Sequence, residues 1–331
     1  MSAKPLTAVL AAIILLTCGP ARTEAPEHKN MNQSVAFATY ATDRDDLYWG
    51  LVMSESLREF GGSLTNAAVR IYIDDTAPEL DTMFLQRRES LNVSIEHSHT
   101  PDGMKRIIYA QKAYAAALAE RETAQTGEIL AWLDPDVVFV KEPSAFRLDS
   151  NVALGYRPVQ LLNISSRYNQ PPDEFWSRLY RILNVADSSI FPMTTTTDLV
   201  EIRPQFNAGM LIVRPERGIL RSWPPALEKL CADSAIQSIF SKDRRTAIFL
   251  HQAALAGAIL ATVPRDQMAD LPSTYNYAFL FADRLPPEKR AASLDDVVMF
   301  RHDLAFADPA QRAKVSDSSK IFQWVKQRWP Q

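Results

Sequence analysis

The chain alternates short apolar runs with longer segments whose apolar residues recur every three or four positions. Residues 35–40 (VAFATY) form the first run, which stops at polar Thr42, Asp43, Arg44 and Asp45. Residues 46–60 have helical periodicity, and Gly61-Gly62 ends them. Residues 69–73 (VRIYI) predict a second strand running into Asp74-Asp75, and 92–95 a weaker third. The Ala-rich segment 104–121 predicts a helix because its residues lose little freedom in one. Residues 128–140 hold two apolar runs around Asp134-Pro135-Asp136. Strands that alternate with helices in this way predict a mostly parallel sheet covered on both faces.

The second half is less regular. Residues 152–156 predict a strand. The Pro-, Ser-, Thr- and aromatic-rich stretch 166–198 predicts a long loop with a short helix at 173–184. Residues 206–213 (FNAGMLIV) predict a strand closed by a turn at Arg214-Pro215, followed by helices at 222–240 and 246–260. Residues 297–300 predict a last strand that leads into Arg301-His302. Trp324 and Trp329, in the tail at 311–331, read as packing anchors.

Residues 5–21 (PLTAVLAAIILLTCGPA) follow a single Lys4 and have the layout of a secretory signal peptide, with cleavage after Ala21 or Ala25. The run is short for a span, which needs ~20 apolar residues. An uncleaved anchor that attaches the protein to a membrane and a lipidated Cys18 are the alternatives. The organisation expected is a leader at 1–25, a linker at 26–34, one domain at 35–310 and the tail. The expected location is the secretory pathway or cell envelope. A hydrophobic content of 47% supports a full core. A net charge of −3 with no basic stripe excludes nucleic acid as a partner. Cys18 and Cys231 cannot build a disulfide framework, so Cys231 reads as a lone structural cysteine.

The candidate chemistry centres on Asp134 and Asp136. An i, i+2 spacing puts both side chains on one face of a regular strand, whereas Pro135 favours an irregular, exposed strand end. Two carboxylates so close are stable together mainly beside a cation. Oxygen ligands suit Mg²⁺ or Mn²⁺, which can bridge a diphosphate and offset the charge that develops as it leaves. A solvated Asp-Pro turn is the plain alternative. The run LDPDVV also fits a haloacid-dehalogenase-like phosphatase with Asp134 as nucleophile. That motif normally opens a chain's first strand and precedes a glycine, and its later acidic pair follows an apolar strand, whereas Asp295-Asp296 precedes one.

The segment ILAWLDPDVVFVKEP resembles the Asp-x-Asp strand of GT-A nucleotide-diphospho-sugar glycosyltransferases, especially the glycogenin-like and retaining galactosyltransferase group. The resemblance spans roughly residues 35–305. It implies an α/β, Rossmann-like GT-A fold: a mostly parallel mixed sheet flanked by helices, in a single domain after the leader. In that group a Lys or Arg on the preceding helix contacts the phosphates. Lys112 matches it, with Lys105 or Arg106 as substitute. Phe206-Asn207-Ala208-Gly209-Met210 resembles the family's donor-sugar segment, which assigns Asn207 and Gly209 to the donor. The family completes its metal site with a histidine after a late apolar strand. This implies His302 beside Asp134 and Asp136, and Mn²⁺ in preference to Mg²⁺. Thr39 and Tyr40 close the first strand where the family holds the nucleotide, and Asp74 closes the second; strand-end packing is the alternative. The family's Asp-Gln helix start reads His251-Gln252 here, so Gln252 matches while His251 replaces an acid near the reacting centre.

The partners implied are a nucleotide-sugar donor and a glycan, lipid or protein acceptor, whose cleft Asn276 and Tyr277 could line. His97 and His99 have metal-like spacing without a further ligand and read as a surface loop. Asn92 and Asn163 open glycosylation sequons. A competing reading is an exported, non-catalytic protein of the same fold that binds a glycan or surface component. Nucleotide sugars are made in the cytosol, so an exported copy can lack its donor.

Overall fold

The computed structural model describes residues 33–75, 80–303, 306, 309–313 and 317–329. The expected leader and most of the linker lie outside the described residues. The first half runs β1 (Val35–Ala41), α1 (Arg44–Phe60), β2 (Val69–Asp74), α2 (Thr82–Ser90), β3 (Val93–Ser98), α3 (Ala110–Thr123), β4 (Ile129–Leu133) and β5 (Val137–Phe139). The second half runs β6 (Leu154–Pro158), α4 (Glu174–Ile182), β7 (Met193–Thr194), β8 (Glu201–Ile202), β9 (Phe206–Val213), α5 (Trp223–Ala232), α6 (Ser234–Lys242) and α7 (Arg244–Thr262). It ends with β10 (Met268–Asp270), β11 (Tyr277–Ala278), β12 (Met299–Arg301), α8 (Pro309–Arg312) and α9 (Lys320–Lys326).

The described strands build a seven-stranded sheet in the order β10-β6-β9-β4-β1-β2-β3. β1 pairs in parallel with β2 and β4, and β2 with β3. β9 runs antiparallel between β4 and β6. The mixed α/β architecture expected from the alternating runs is therefore present. Both faces are covered over the central strands, which explains why β1, β4 and β9 are buried along their whole length, whereas the edge strand β3 is partly exposed. On β4, Leu130 and Trp132 join the cluster that includes α3, α5 and α7, while Ile129, Ala131 and Leu133 join the cluster under α1. Small residues Ala110, Ala113 and Ala116 let α3 lie close to the sheet. A smaller sheet, β11-β12-β5, extends the second face. The tail packs there: Ile321, Phe322 and Trp324 of α9 share a cluster with Trp49 and Phe300. No helix among the described residues is long and apolar enough to cross a membrane.

Helix starts follow aspartate caps. Asp43, Asp173 and Asp243 each accept a backbone N–H at the head of α1, α4 and α7. The single helix expected at 222–240 is two helices because Asp233 caps α6 through the amides of Ala235 and Ile236. The helix expected from residue 104 begins only at Ala110. Residues 104–109 are turns, and Tyr109 has a left-handed φ of 61°. β3 runs on to Ser98 and carries His97. His97 and His99 stay exposed beside Asp75, with His99 Nδ1 2.9 Å from its Oδ2. Burial pushes the half-buried Cys231 thiol up to about 11, so it stays protonated.

Candidate active site at the carboxyl ends of β1 and β4

The parallel strands β1, β2 and β4 end on one edge of the sheet, the edge where open α/β sheets bind ligands. Antiparallel β9 brings its first residues, Phe206 to Gly209, to the same edge. Asp134 leaves β4 with its amide donating to the carbonyl of Gly209, 2.9 Å away. Asp134-Pro135-Asp136 then turns into β5 with both aspartates buried.

Lys112, projecting from α3, donates through Nζ to Asp134 Oδ1. Its ammonium also stands 5.4 Å from the centre of the Tyr40 ring, which stacks on Trp132 at 6.0 Å. Asn207 Oδ1 accepts from the Gly209 amide at 2.9 Å, and Gln252 Oε1 on α7 accepts from the Ala208 amide at 3.3 Å. Lys112, Asp134, Asn207, Gly209, Gln252 and Tyr40, all singled out in the sequence, thus meet. Lys105 does not join them; it pairs with Asp102 at 2.8 Å on an exposed turn. Thr39 is fully buried on the opposite face of β1, its methyl facing Gly50 of α1. Asp74 is buried at the end of β2.

His302 is not the third side chain at the acidic pair. β12 pairs antiparallel with β5, Arg301 opposite Val137. Alternation along an extended strand turns neighbours to opposite faces. Arg301 therefore faces the aspartates, and the His302 ring goes to the other side, 4.3 Å from Trp49 and 4.7 Å from Phe306. Among the described residues, neither ring nitrogen has a hydrogen-bond partner. Arg301 Nη2 lies 3.2 Å from Asp134 Oδ2, and its Nε is 3.3 Å from Asp136 Oδ1. Among the described residues, no three His, Cys, Asp or Glu side chains gather in a way that could hold a metal ion. The ligand set read from the sequence does not fit. Mn²⁺ or Mg²⁺ could reach the two carboxylates only after Arg301 had left them. Burial alone would raise the Asp134 pKa, but Lys112 and Arg301 outweigh it and hold the carboxyl below its ordinary value.

Tyr109 was missed in the sequence because nothing in its run marks a left-handed residue. It is partly exposed, and its ring lies 4.9 Å from that of His251. Backbone strain at a bulky residue beside a polar cluster is a common companion of function. His251 Nδ1 lies 2.9 Å from the carbonyl oxygen of Ile248 and so donates to it. Burial, helped by the Lys112 ammonium, pushes the ring down to about 3. His251 is therefore neutral, with Nε2 an acceptor, and does not reproduce the charge of the acid it replaces. Asn276, at a left-handed φ of 50°, and Tyr277 line a cleft of about 460 Å³ together with Arg157, Thr195, Thr197 and Arg290.

The position of His302 makes a direct prediction. Burial pushes its pKa down to about 4, whereas an unfolded histidine titrates near ~6.5. Between those values the unfolded chain binds a proton that the folded chain refuses. Stability therefore falls as the pH falls through this window and levels off below it. At ~1.4 kcal/mol per pKa unit the loss is on the order of 3 kcal/mol. His302→Phe should flatten that decline, measured by urea unfolding at pH 7 and pH 5, and leave donor turnover intact. A hundredfold loss of turnover would instead return His302 to the site.

The sequence model of the Rhodobacterales glycosyltransferase domain matches residues 43–262. No curated protein sequence matches the chain. Several GT-A glycosyltransferase structures are similar in fold. The bifunctional glycosyltransferase WbbM, in its apo form, superposes with a TM-score of 0.50 at 13% identity, over 83% of this chain and 46% of that one. GlyE of Streptococcus pneumoniae gives 0.45 at 12% identity, over 90% and 61%. The galactosyltransferase LgtC, complexed with donor and acceptor sugar analogues, gives 0.40 at 14%, over 87% and 99%. The chain thus spans about half the length of WbbM.

Proposed function

The chain belongs to the Rhodobacterales glycosyltransferase domain family, and from that premise we propose that it transfers a hexose or pentose from a nucleoside-diphosphate donor to a hydroxyl-bearing glycan, lipid or protein. The observation that carries this reading is the convergence of Lys112, Asp134, Asn207 and Arg301 at one sheet edge. A departing diphosphate concentrates negative charge. Preorganised cations in a dry pocket offset it without reorganising at the moment of reaction. Lys112 and Arg301 are such cations, and the Tyr40 ring packs beside the buried Lys112 ammonium. Asn207, fixed by the Gly209 amide, orients the sugar, and Gln252 braces the same strand.

Neutral His251 offers a hydrogen-bond acceptor rather than a carboxylate nucleophile. This agrees with a retaining reaction in which the leaving diphosphate takes the acceptor's proton. The cleft beside Asn276 and Tyr277 is the acceptor site in this reading. Family membership replaces the phosphatase alternative.

The purified protein should be tested against a panel of UDP- and GDP-sugars, following binding and release of the nucleoside diphosphate. At least one donor should bind and be slowly hydrolysed without acceptor. If no UDP- or GDP-sugar binds, with Mn²⁺ or with EDTA, the transferase reading is lost.

A further inference from the structure

We propose that Arg301 is the resident cation of the donor site, standing where a divalent ion would bridge Asp134 and Asp136, so that the site binds a nucleoside diphosphate without metal. This deepens the transferase reading and rests on it. Each of the four carboxylate oxygens of the acidic pair already faces a cation. Asp134 Oδ1 accepts from Lys112 Nζ, and Asp134 Oδ2 lies 3.2 Å from Arg301 Nη2. Asp136 Oδ1 and Oδ2 are each 3.3 Å from the guanidinium, at Nε and Nη2.

Lys112 and Arg301 offset the charges of Asp134 and Asp136, and burial raises the pKa of the third carboxyl nearby, Asp303, so the repulsion that would otherwise call for an ion is reduced. Arg301 is itself held in place. Asp303 Oδ1 lies 3.1 Å from Nη2, and Asn207 Oδ1 accepts from Nη1 at 3.4 Å. The side chain is 15% exposed.

Strand β9 closes on the group from the side. A Cβ at Gly209 would lie 2.3 Å from Asp134 Oδ2 and 2.7 Å from Arg301 Nη1. The guanidinium thus fills the space between the carboxylates and β9. His302, the histidine that the resemblance implies as a ligand, faces away, between Trp49 and Phe306. Chemistry favours the same role. A guanidinium presents five N–H donors in a planar fork that matches phosphate oxygens, and it keeps its charge when buried. With Nε and Nη2 spent on the carboxylates and one Nη1 hydrogen on Asn207, one N–H remains for the diphosphate, beside the Lys112 ammonium.

The test is binding of UDP and GDP by titration calorimetry, in EDTA and in Mn²⁺, for the unaltered protein, Arg301→Gln and Arg301→Lys. The unaltered protein should bind with a Kd that differs by less than about twofold between the two conditions. Arg301→Gln should lose about tenfold or more in EDTA and recover on adding Mn²⁺, because two bare carboxylates then accept an ion. Arg301→Lys, which keeps the charge, should retain part of the metal-free binding. A folding defect would not be repaired by Mn²⁺, so the rescue separates the proposed role from a structural one. Binding by the unaltered protein only with Mn²⁺ would overturn the inference and leave the transferase reading standing. So would Arg301→Gln binding like the unaltered protein in EDTA. No binding of UDP or GDP in either condition would overturn both.

Discussion

Asp134→Ala should lose about 10²–10³-fold in donor turnover and about 3–5 kcal/mol of folding stability. The two losses have different causes. Turnover falls because the carboxylate that holds Lys112 and Arg301 in position is gone. Stability falls because Lys112 is buried, and Asp134 supplies its ion pair. An ammonium left alone there, over the face of Tyr40, loses hydration without compensation. It escapes by giving up its proton. Burial already lowers the Lys112 pKa with Asp134 in place; without that carboxylate it falls further below the unfolded value of ~10.4, and stability should recover as the pH rises between the two. Removing both partners, Asp134→Ala with Lys112→Met, should restore much of the stability and none of the turnover. Urea unfolding at two pH values and nucleoside-diphosphate release measure the two effects separately. A double variant no more stable than Asp134→Ala would show that the buried pair does not form.

The parts of this site that were legible in the sequence are those fixed by short-range pattern. Strand β4 announces itself by five apolar residues buried on both faces, and the Asp-Pro-Asp that follows is a polar break in an apolar stretch. Lys112 was recoverable through the family resemblance, which expects a phosphate-contacting cation on the helix before the acidic strand. Asn207 and Gly209 open an otherwise apolar strand. The pattern did not reveal that β9 runs antiparallel. Strand direction depends on where a long connection returns, and here 166–205 intervenes with β7 and β8 and α4.

His302 and Arg301 illustrate the sharper limit. In a strand of period two, an error of one residue exchanges the two faces. The run 297–302 contains a histidine and an arginine side by side, and chemistry alone prefers the histidine as a ligand. Only the pairing of Arg301 with Val137 decides which of them meets the aspartates. The alternation was still present as a signal. Met299 joins the cluster beneath the acidic strand, whereas Phe300 joins the one containing Trp49. Counting two from Met299 arrives at Arg301.

Gly209→Ala should cost about 10²-fold in donor turnover, as displacing a reacting group by about an ångström does. β9 carries no strained backbone at this position, so the effect comes from space alone. The added methyl would lie 2.3 Å from Asp134 Oδ2 and 2.7 Å from Arg301 Nη1. Neither atom can withdraw freely. Asp134 is held on its other oxygen by Lys112, and Arg301 is held by Asp136 and Asp303. The methyl must push the ion pair apart or push β9 away from β4, where the Asp134 amide bonds the Gly209 carbonyl. Gly257→Ala is the matched control. Its methyl would meet Leu183 Cδ1, also at 2.3 Å, within an apolar helix contact. Overpacking there should cost about 1–3 kcal/mol and leave turnover per folded molecule unchanged. Thermal unfolding together with nucleoside-diphosphate release distinguishes the two. If Gly209→Ala turns over donor normally, the Asp134–Arg301 pair lies outside the donor site, and the transferase chemistry must be sought elsewhere on the sheet edge.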